Sequence, residues 1–572
     1  MEKINKLKKI LKSENIDGYI VPKNDEFFGE YIPDYKDRLK YISNFTGSYG
    51  FALILTNQNF LFVDGRYTLQ AHKQCGNLFK IKTIPNELPG DILKNKKLKI
   101  GFDPNLFTSR TMNIFFSKTN CKFIPLNYNL IDKIWKRKEN KQKKKFYILP
   151  NNSASERYQS KINKIVFEMR KNKAEFFFIS ASENNAWLLN IRGNDSKYTP
   201  IPHSYILIDK MKNINFFCDL QKIPSSFKKN FDKIKFINVN NIKNILSKIT
   251  RKKFLIDGST CSFFFENIIS ENNKIIYNQD PIYFLKSIKT KNEIENIKKA
   301  HIYDGAALTK YLFWIKNNFE KKKITEISAA QKLFNFRKKN KNFKFLSFPT
   351  ISGSGPNGAI IHYKATKSSN RRLNKGEIYL VDSGGQYKYG TTDVTRTISL
   401  QNKNKRVKNI FTRVLKGHIA VAMYNLKKNT SGSIIDIKAR KYLKQINLDY
   451  AHGTGHGVGY FLNVHEGPHA ISKGNTVNLR EGMIVSNEPG YYEKNNFGIR
   501  IENLIYVKKD KKNRIFDNLT MAPIDKDLID LKILNKNETN WINNYHQKVF
   551  NNLNKFMNKK ESLELRKACS TI

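Results

Sequence analysis

Two stretches of the chain follow one plan, and a duplication of that kind leaves few folds open. Near the start, MEKINKLKKILKSENIDGYIVP sets lysines beside Ile4, Leu7, Ile10 and Leu11 at helical spacing and leads into an apolar strand from Asp17 to Val21. YISNFTGSYGFALIL follows, where Asn44, Phe45 and Gly47 precede a second apolar strand. Around residue 160 the order returns. SKINKIVFEMRKNKAEFFFIS reads as helix then strand, and WLLNIRGNDSKYTPIPHSYILI sets Asn190, Ile191 and Gly193 ahead of another strand. Alternating helices and strands make α/β units, so the spacing predicts two related α/β domains at 1–148 and 149–283. The Lys- and Asn-rich run KRKENKQKKK, 136–145, reads as a solvated linker.

From about Ile288 the pattern changes to long helices, including TKNEIENIKKAHIYDGAALTKYLFWIKNNF, and then to Gly-punctuated strands. These define a third, α+β domain at 284–508. The tail, 509–572, reads as an extended approach to a terminal helix, with Asn537, Thr539 and Asn540 as candidate caps. A chain of 572 residues, 40% hydrophobic, can bury several cores.

Several function classes are disfavoured. The N-terminal helix lacks the uninterrupted apolar core of a signal peptide, and no apolar run approaches the roughly 18 residues that span a bilayer. Cys75, Cys121, Cys218, Cys261 and Cys569 are scattered and free of CxxC spacing, which fits a reducing, cytoplasmic compartment. The formal charge of +53 invites a nucleic-acid reading. Lysine is nevertheless spread along the whole chain without an RNP, zinc-finger or helix-turn-helix signature, so neither a specific nucleic-acid partner nor a membrane is expected.

With 49 acidic residues against 102 basic ones, carboxylates at strand ends among glycines stand out. In GEIYLVDSGGQYKYGTTDVTRTISL, Asp382 ends one apolar strand and Asp393 begins the next, so a hairpin centred near Tyr387 would face one carboxylate with the other. In GMIVSNEPGYYEKNNFGIRIENLIYV, Glu488 precedes Pro489–Gly490, read as a turn, and Glu502 lies in the returning strand. Four converging carboxylates repel one another in a low dielectric unless cations compensate them. AHGTGHGVGYFLNVHEGPH places His452, His456, His465 and His469 within one glycine-rich stretch, where an imidazole ligand is expected. One imidazole with four carboxylates is a hard, oxygen-rich set that suits a pair of Mn²⁺-like ions. His301, His418 and His546 sit in helical patterns and are expected to be structural.

Asp382, Asp393, His456 in HGTGHGVG, Glu488 in NEPG and Glu502 in GIRIEN match, in identity and order, the ligand set of the Xaa-Pro aminopeptidases, which the chain therefore resembles. DGRYTLQA, WLLNIRG, GAIIHY and WINNYH extend the resemblance along the chain. It implies two creatinase/prolidase-type N-terminal domains, a pita-bread metallopeptidase domain and a C-terminal extension. It implies a cofactor of two divalent metal ions, Asp382 on one, His456 and Glu488 on the other, Asp393 and Glu502 bridging, with a bridging hydroxide attacking the Xaa-Pro carbonyl. His362, His452 and His465 would bind the carbonyl and move the proton, and Tyr492, Arg500 and Arg66 would lie near the substrate. Peptides with proline at position 2 would be the substrates, and a homodimer the assembly. Prolidase, which takes dipeptides, and a non-catalytic module on the same fold are the rival readings. SGSGPNG has GxGxxG spacing but holds Pro356 and precedes no Rossmann helix, so it is read as a loop leading to His362.

Overall fold

The helix expected at the start forms over Glu2–Ser13 because Ile4, Leu7 and Leu11 recur on one face, and all three are buried. The structure, a computed structural model, describes residues 1–137, 144–231, 233–511 and 513–572. Most of the expected linker, 138–143, lies outside the described residues. The chain divides into two compact units, Met1–Tyr283 and Phe284–Ile572.

The first unit holds two six-stranded sheets. The first comprises β1 (Gly18–Pro22), β2 (Phe51–Leu55), β3 (Asn59–Asp64), β4 (Lys80–Ile84), β5 (Lys99–Phe102) and β6 (Lys122–Pro125). The second comprises β7 (Phe176–Ile179), β8 (Tyr205–Asp209), β9 (Ile214–Cys218), β10 (Ile234–Asn238), β11 (Lys253–Ile256) and β12 (Lys274–Tyr277). Their orders, β4-β3-β2-β1-β5-β6 and β10-β9-β8-β7-β11-β12, are the same topology. So are the directions: in each sheet the first strand pairs antiparallel with the second and parallel with the fifth. Asn44 and Asn190, matched in the repeated sequence, both adopt left-handed backbone, with φ of 66° and 55°. The duplication read from the sequence is therefore a duplication of fold.

The second unit repeats a different plan. Helices Lys291–Asn318 and Glu326–Lys338 lead to β13 (Ile351–Ser354), β14 (Ile378–Ser383), β15 (Gly385–Tyr387), β16 (Gly390–Thr391) and β17 (Val394–Ser399). Helices Lys405–Ala422 and Gly432–Lys444 then lead to β18 (Gly455–Gly457), β19 (Glu466–Ile471), β20 (Ile484–Asn487), β21 (Gly490–Glu493), β22 (Phe497–Arg500), β23 (Asn503–Asp510) and β24 (Asn513–Asn518). Thr290 and Glu293 start the first helix with a reciprocal capping box. In the tail, Lys536–Leu553 is helical, but its cap is Asn535 paired with Glu538. Asn537, Thr539 and Asn540 lie inside the helix, because the Asn535–Glu538 box satisfies the free amides one turn earlier. The buried face of this helix, Ile542, Tyr545, Val549 and Leu553, joins Val407, Phe411 and Val414 in one core.

Among the described residues no helix is long and apolar enough to cross a membrane. The five cysteines are free thiols, as their spacing suggested.

Candidate metal centre

β14 and β17 pair antiparallel, Asp382 opposite Thr395 and Ser383 opposite Val394, and β15 and β16 continue the hairpin in the same register. Asp382 thus lies next to the end of one strand and Asp393 immediately precedes the other, but the two do not face each other across the ladder as expected, because the hairpin centres between Lys388 and Tyr389 and not at Tyr387. The second hairpin differs from its sequence reading. β20 pairs with β23 and β21 with β22 in one continuous register, Asn487 opposite Asn503 and Gly490 opposite Arg500. Pro489–Gly490 makes no turn, since the chain reverses beyond Glu493, where the amide of Asn496 donates to the Glu493 carbonyl at 3.0 Å. Glu488 and Glu502 occupy the break between the two paired segments, where proline interrupts the ladder and both carboxylates turn inward.

The hairpins bring the acids together. Asp393, His456 and Glu502 each offer a ligand atom within 4.8 Å of the others. His456 Nε2 stands 3.4 Å from Glu488 Oε1 and 3.5 Å from Asp393 Oδ2. Its Nδ1–H donates to the Gly457 carbonyl at 2.9 Å, which fixes the tautomer and aims Nε2 at the carboxylates. Gly455 and Gly457 permit this crowding, since a Cβ would lie 1.8 Å from the Ser486 carbonyl oxygen at the first and 2.2 Å from that of Glu466 at the second.

The electrostatics show how tightly the acids are held. Burial pushes the Asp382 carboxyl up to about 7 against the pull of Arg500, and the Asp393 and Glu488 charges add to the rise. Burial also raises Glu488, and it raises Glu502 well above the ordinary range, helped by the charges of Asp393, Glu488 and Asp382. Burial opposes the charged form of His456, yet its contact with Asp393 and the Glu488 charge raise it to about 9. Asp382 Oδ1 is buried with no hydrogen-bond partner. Three acids raised by burial and by neighbouring carboxylate charge, with Asp393 among them, an imidazole aimed at them and an unsatisfied carboxylate oxygen form a donor set that fits divalent cations.

Arg500 is fully buried beside the acids: it donates from Nη2 to Asp382 Oδ2 at 2.6 Å, from Nη1 to the Tyr492 hydroxyl at 2.6 Å and from Nε to Thr395 Oγ1 at 3.1 Å. Tyr492 in turn meets His452 Nε2 at 2.9 Å. His465 is exposed and edge-on to His456, ring centroids 4.3 Å apart. His362 is half-buried after the turn Gly355–Ala359, which packs on β22 near Gly498 and forms no dinucleotide-binding helix. Arg66 belongs to the first unit, where its guanidinium forks onto Asp64.

His469 donates from Nε2 to the Ile484 carbonyl, and His301, His418 and His546 are buried and bonded to main chain, so all four are core residues. Sequence reasoning overlooked two hydroxyls. Thr395 donates to Glu502 Oε2 at 2.8 Å and Ser486 to Glu488 Oε1 at 3.0 Å. Thr395 lies two positions from Asp393, and Ser486 two from Glu488, the strand period that puts side chains on one face.

The chain matches the model of metallopeptidase family M24 over residues 295–509, that of the creatinase/prolidase N-terminal domain twice, over 3–134 and 136–293, and that of the C-terminal region of peptidase M24 over 515–572. It is 36% identical over 602 residues to a probable Xaa-Pro aminopeptidase P of Laccaria bicolor, covering 100% of this chain and 93% of that protein. With Xaa-Pro aminopeptidase 1 of Dictyostelium discoideum it shares 36% identity, over 96% of this chain and 92% of that one. The X-prolyl aminopeptidase of Caenorhabditis elegans, described as a cytosolic enzyme with a di-nuclear active site, superposes with a TM-score of 0.94 at 29% identity, over 100% and 99% of the two chains. The prolidase of Pyrococcus horikoshii reaches 0.53 at 25% identity and covers 64% of this chain.

Proposed function

The chain belongs to the Xaa-Pro aminopeptidase P family of M24 metallopeptidases, and on that premise we propose how its residues carry the work of a metal-dependent aminopeptidase that cleaves between an N-terminal residue and a following proline. The convergence of Asp393, Glu502 and His456, with Glu488 and Asp382 beside them, carries the reading. Asp382 would hold one of two divalent cations, His456 and Glu488 the other, with Asp393 and Glu502 shared between them. Bound there, the cations supply Lewis acidity toward the scissile carbonyl and acidify water near neutral pH. The oxygen-rich donors favour Mn²⁺ over structural zinc.

The chain's own residues order the site. The Gly457 carbonyl fixes the His456 tautomer, and Thr395 and Ser486 fix the carboxylates of Glu502 and Glu488. Arg500 holds Asp382 and Tyr492 at once, and Tyr492 orients His452. His362 would donate to the substrate carbonyl. His465 would deliver the proton that the departing proline nitrogen requires, since that amide nitrogen carries none of its own. Arg66 would lie near the substrate only as the resemblance implies.

The domain limits 1–148, 149–283, 284–508 and 509–572, a cytosolic location and a homodimer belong to the same proposal, the location supported by the description of the nematode enzyme. Prolidase is the rival, and its match spans only 64% of this chain. Metal-stripped protein should regain cleavage of an Arg-Pro-Pro peptide when Mn²⁺ is added back. Cleavage of Xaa-Pro dipeptides alone, with Xaa-Pro-Xaa tripeptides untouched, would overturn the aminopeptidase reading.

A further inference from the structure

Glu466 is 4% exposed and sits between two buried lysines, Lys286 and Lys289, each also 4% exposed. Lys289 Nζ donates to Glu466 Oε1, and Lys286 Nζ stands 3.6 Å from Oε2. Burying these ammonium groups and the carboxylate costs several kcal/mol per ion even after relaxation. Apolar side chains of similar volume would stabilise such a position equally well, so its distinctive product is a fixed geometry.

That geometry adjoins the metal centre. Glu466 opens β19 and pairs with Gly457, the neighbour of His456, while the residue before it is His465. The lysines come from the segment ahead of the helix Lys291–Asn318. The amide of Lys289 donates to the Gly482 carbonyl at 3.0 Å, and Ile288 bridges Met483 at the foot of β20, the strand that leads to Glu488. At its other end the loop that carries His465 is held by Gln386, whose side-chain amide donates to the Leu462 carbonyl at 2.7 Å. His465 is therefore an exposed ring on a short loop fixed at both ends, and the Glu466 end is fixed by charge.

We propose that Glu466, gripped by Lys286 and Lys289, is a positioning residue that sets His465 edge-on to His456. This rests on the reading of His465 as the proton-handling group. Glu466→Gln weakens the grip but also removes a carboxylate from two buried ammoniums, so the decisive variant is the apolar triple Lys286→Met/Lys289→Met/Glu466→Leu. It should fold with a Tm close to the parent. On an Xaa-Pro-Xaa tripeptide its kcat should fall about tenfold or more with KM changed less than about twofold, the scale on which misplaced catalytic groups act. Combined with His465→Ala, it should add almost nothing to the loss from His465→Ala alone. A triple variant with the parent's kcat, or a loss that multiplies fully with that of His465→Ala, overturns the proposal. A crystal structure of the triple variant decides independently of activity. Displacement of the His465 ring from its 4.3 Å edge-on contact supports the proposal, and an unmoved ring overturns it. Failure of the unaltered protein to cleave any Xaa-Pro peptide would instead overturn the functional reading.

Discussion

The guanidinium of Arg396 donates from Nη1 to the main-chain carbonyl of Glu502 at 2.6 Å. Its remaining donors reach the carbonyls of Pro523 and Ala522, Asn503 and the Tyr545 hydroxyl, so the C-terminal helix is tied to the back of the candidate metal centre through one side chain. Arg396→Met would leave these buried acceptors unsatisfied, at about 1–3 kcal/mol for each that finds no new donor. We expect a markedly lower Tm and weaker metal retention, read by calorimetry and by metal analysis after dialysis. Tyr545→Phe should cost only about 1 kcal/mol and leave metal content unchanged.

Neutralising a shared acid should separate catalysis from stability. Glu502→Gln removes a carboxylate that burial and three neighbouring acids hold well above its ordinary range, so the metal-free variant should be at least as stable as the metal-free parent. Its kcat should fall by at least about 10²-fold, the scale for loss of one preorganised electrostatic group. Asp393→Asn should lose activity comparably. Near-normal turnover in either would contradict the shared-ligand assignment.

Metal removal should matter most at high pH. In the metal-free protein Asp382, Glu488 and Glu502 have raised carboxyl pKa values, so between the unfolded carboxylate pKa and the folded one the native state holds more protons than the unfolded state. Stability of the metal-free form from these groups is present at low pH and is lost as pH rises through about 7, where Asp382 titrates. Bound cations hold the same groups ionised and reverse the penalty. The Tm gap between metal-loaded and metal-stripped protein should therefore widen from pH 6 to pH 8, as scanning calorimetry on both forms would show. A gap that narrows would contradict the mutual repulsion of the acids.

Much of this site was legible in the sequence because strand register is arithmetic. Asp382 and Asp393 flank a hairpin that could be read from two apolar runs, although its centre lies between Lys388 and Tyr389, beyond the expected Tyr387, and sets Asp382 opposite Thr395. The duplicated N-terminal domains were legible for a similar reason, since Asn44 and Asn190 recur at one turn and share its left-handed backbone. Pro489–Gly490 misled because that dipeptide commonly turns a chain, whereas here it interrupts a ladder that resumes at Gly490 and Arg500. The Arg396 network and the Lys286–Glu466–Lys289 cluster could not be read at all. Their partners lie 126 and 177 residues apart in the cases of Ala522 and Lys289, and long-range polar contacts leave no local periodicity.

Acid should unfold the second unit through its core histidines. Burial pulls His418 and His546 down to about 3 and His469 to about 4. Each contributes stability that is complete above the unfolded histidine pKa, about 6.5, and is lost as pH falls toward the folded value. A histidine lowered this far removes about 3 kcal/mol by pH 4, at 1.4 kcal/mol per pKa unit. His546 accepts the Ile524 amide at Nε2, and a glutamine oxygen could accept in its place. His546→Gln should therefore shift the acid limb of a urea-denaturation series to lower pH while leaving stability at pH 8 within about 1 kcal/mol. An unchanged acid limb would place the proton uptake elsewhere.

The Tyr492 hydroxyl joins Arg500 to His452, accepting at 2.6 Å from the guanidinium and meeting the imidazole at 2.9 Å. His452 Nδ1–H donates to the Gly453 carbonyl at 2.7 Å, so in the neutral imidazole Nε2 accepts and the tyrosine donates to it. Tyr492→Phe breaks that relay without touching an acid. His452 then loses the bond that orients it, and Arg500 keeps its hold on Asp382. We expect kcat to fall about tenfold, on the scale of outer-shell substitutions at metal sites, with metal content unchanged. His452→Ala and the double variant should fall to nearly the same level as each other, because one relay cannot be broken twice. Fully multiplicative losses would show that Tyr492 and His452 act on the substrate separately.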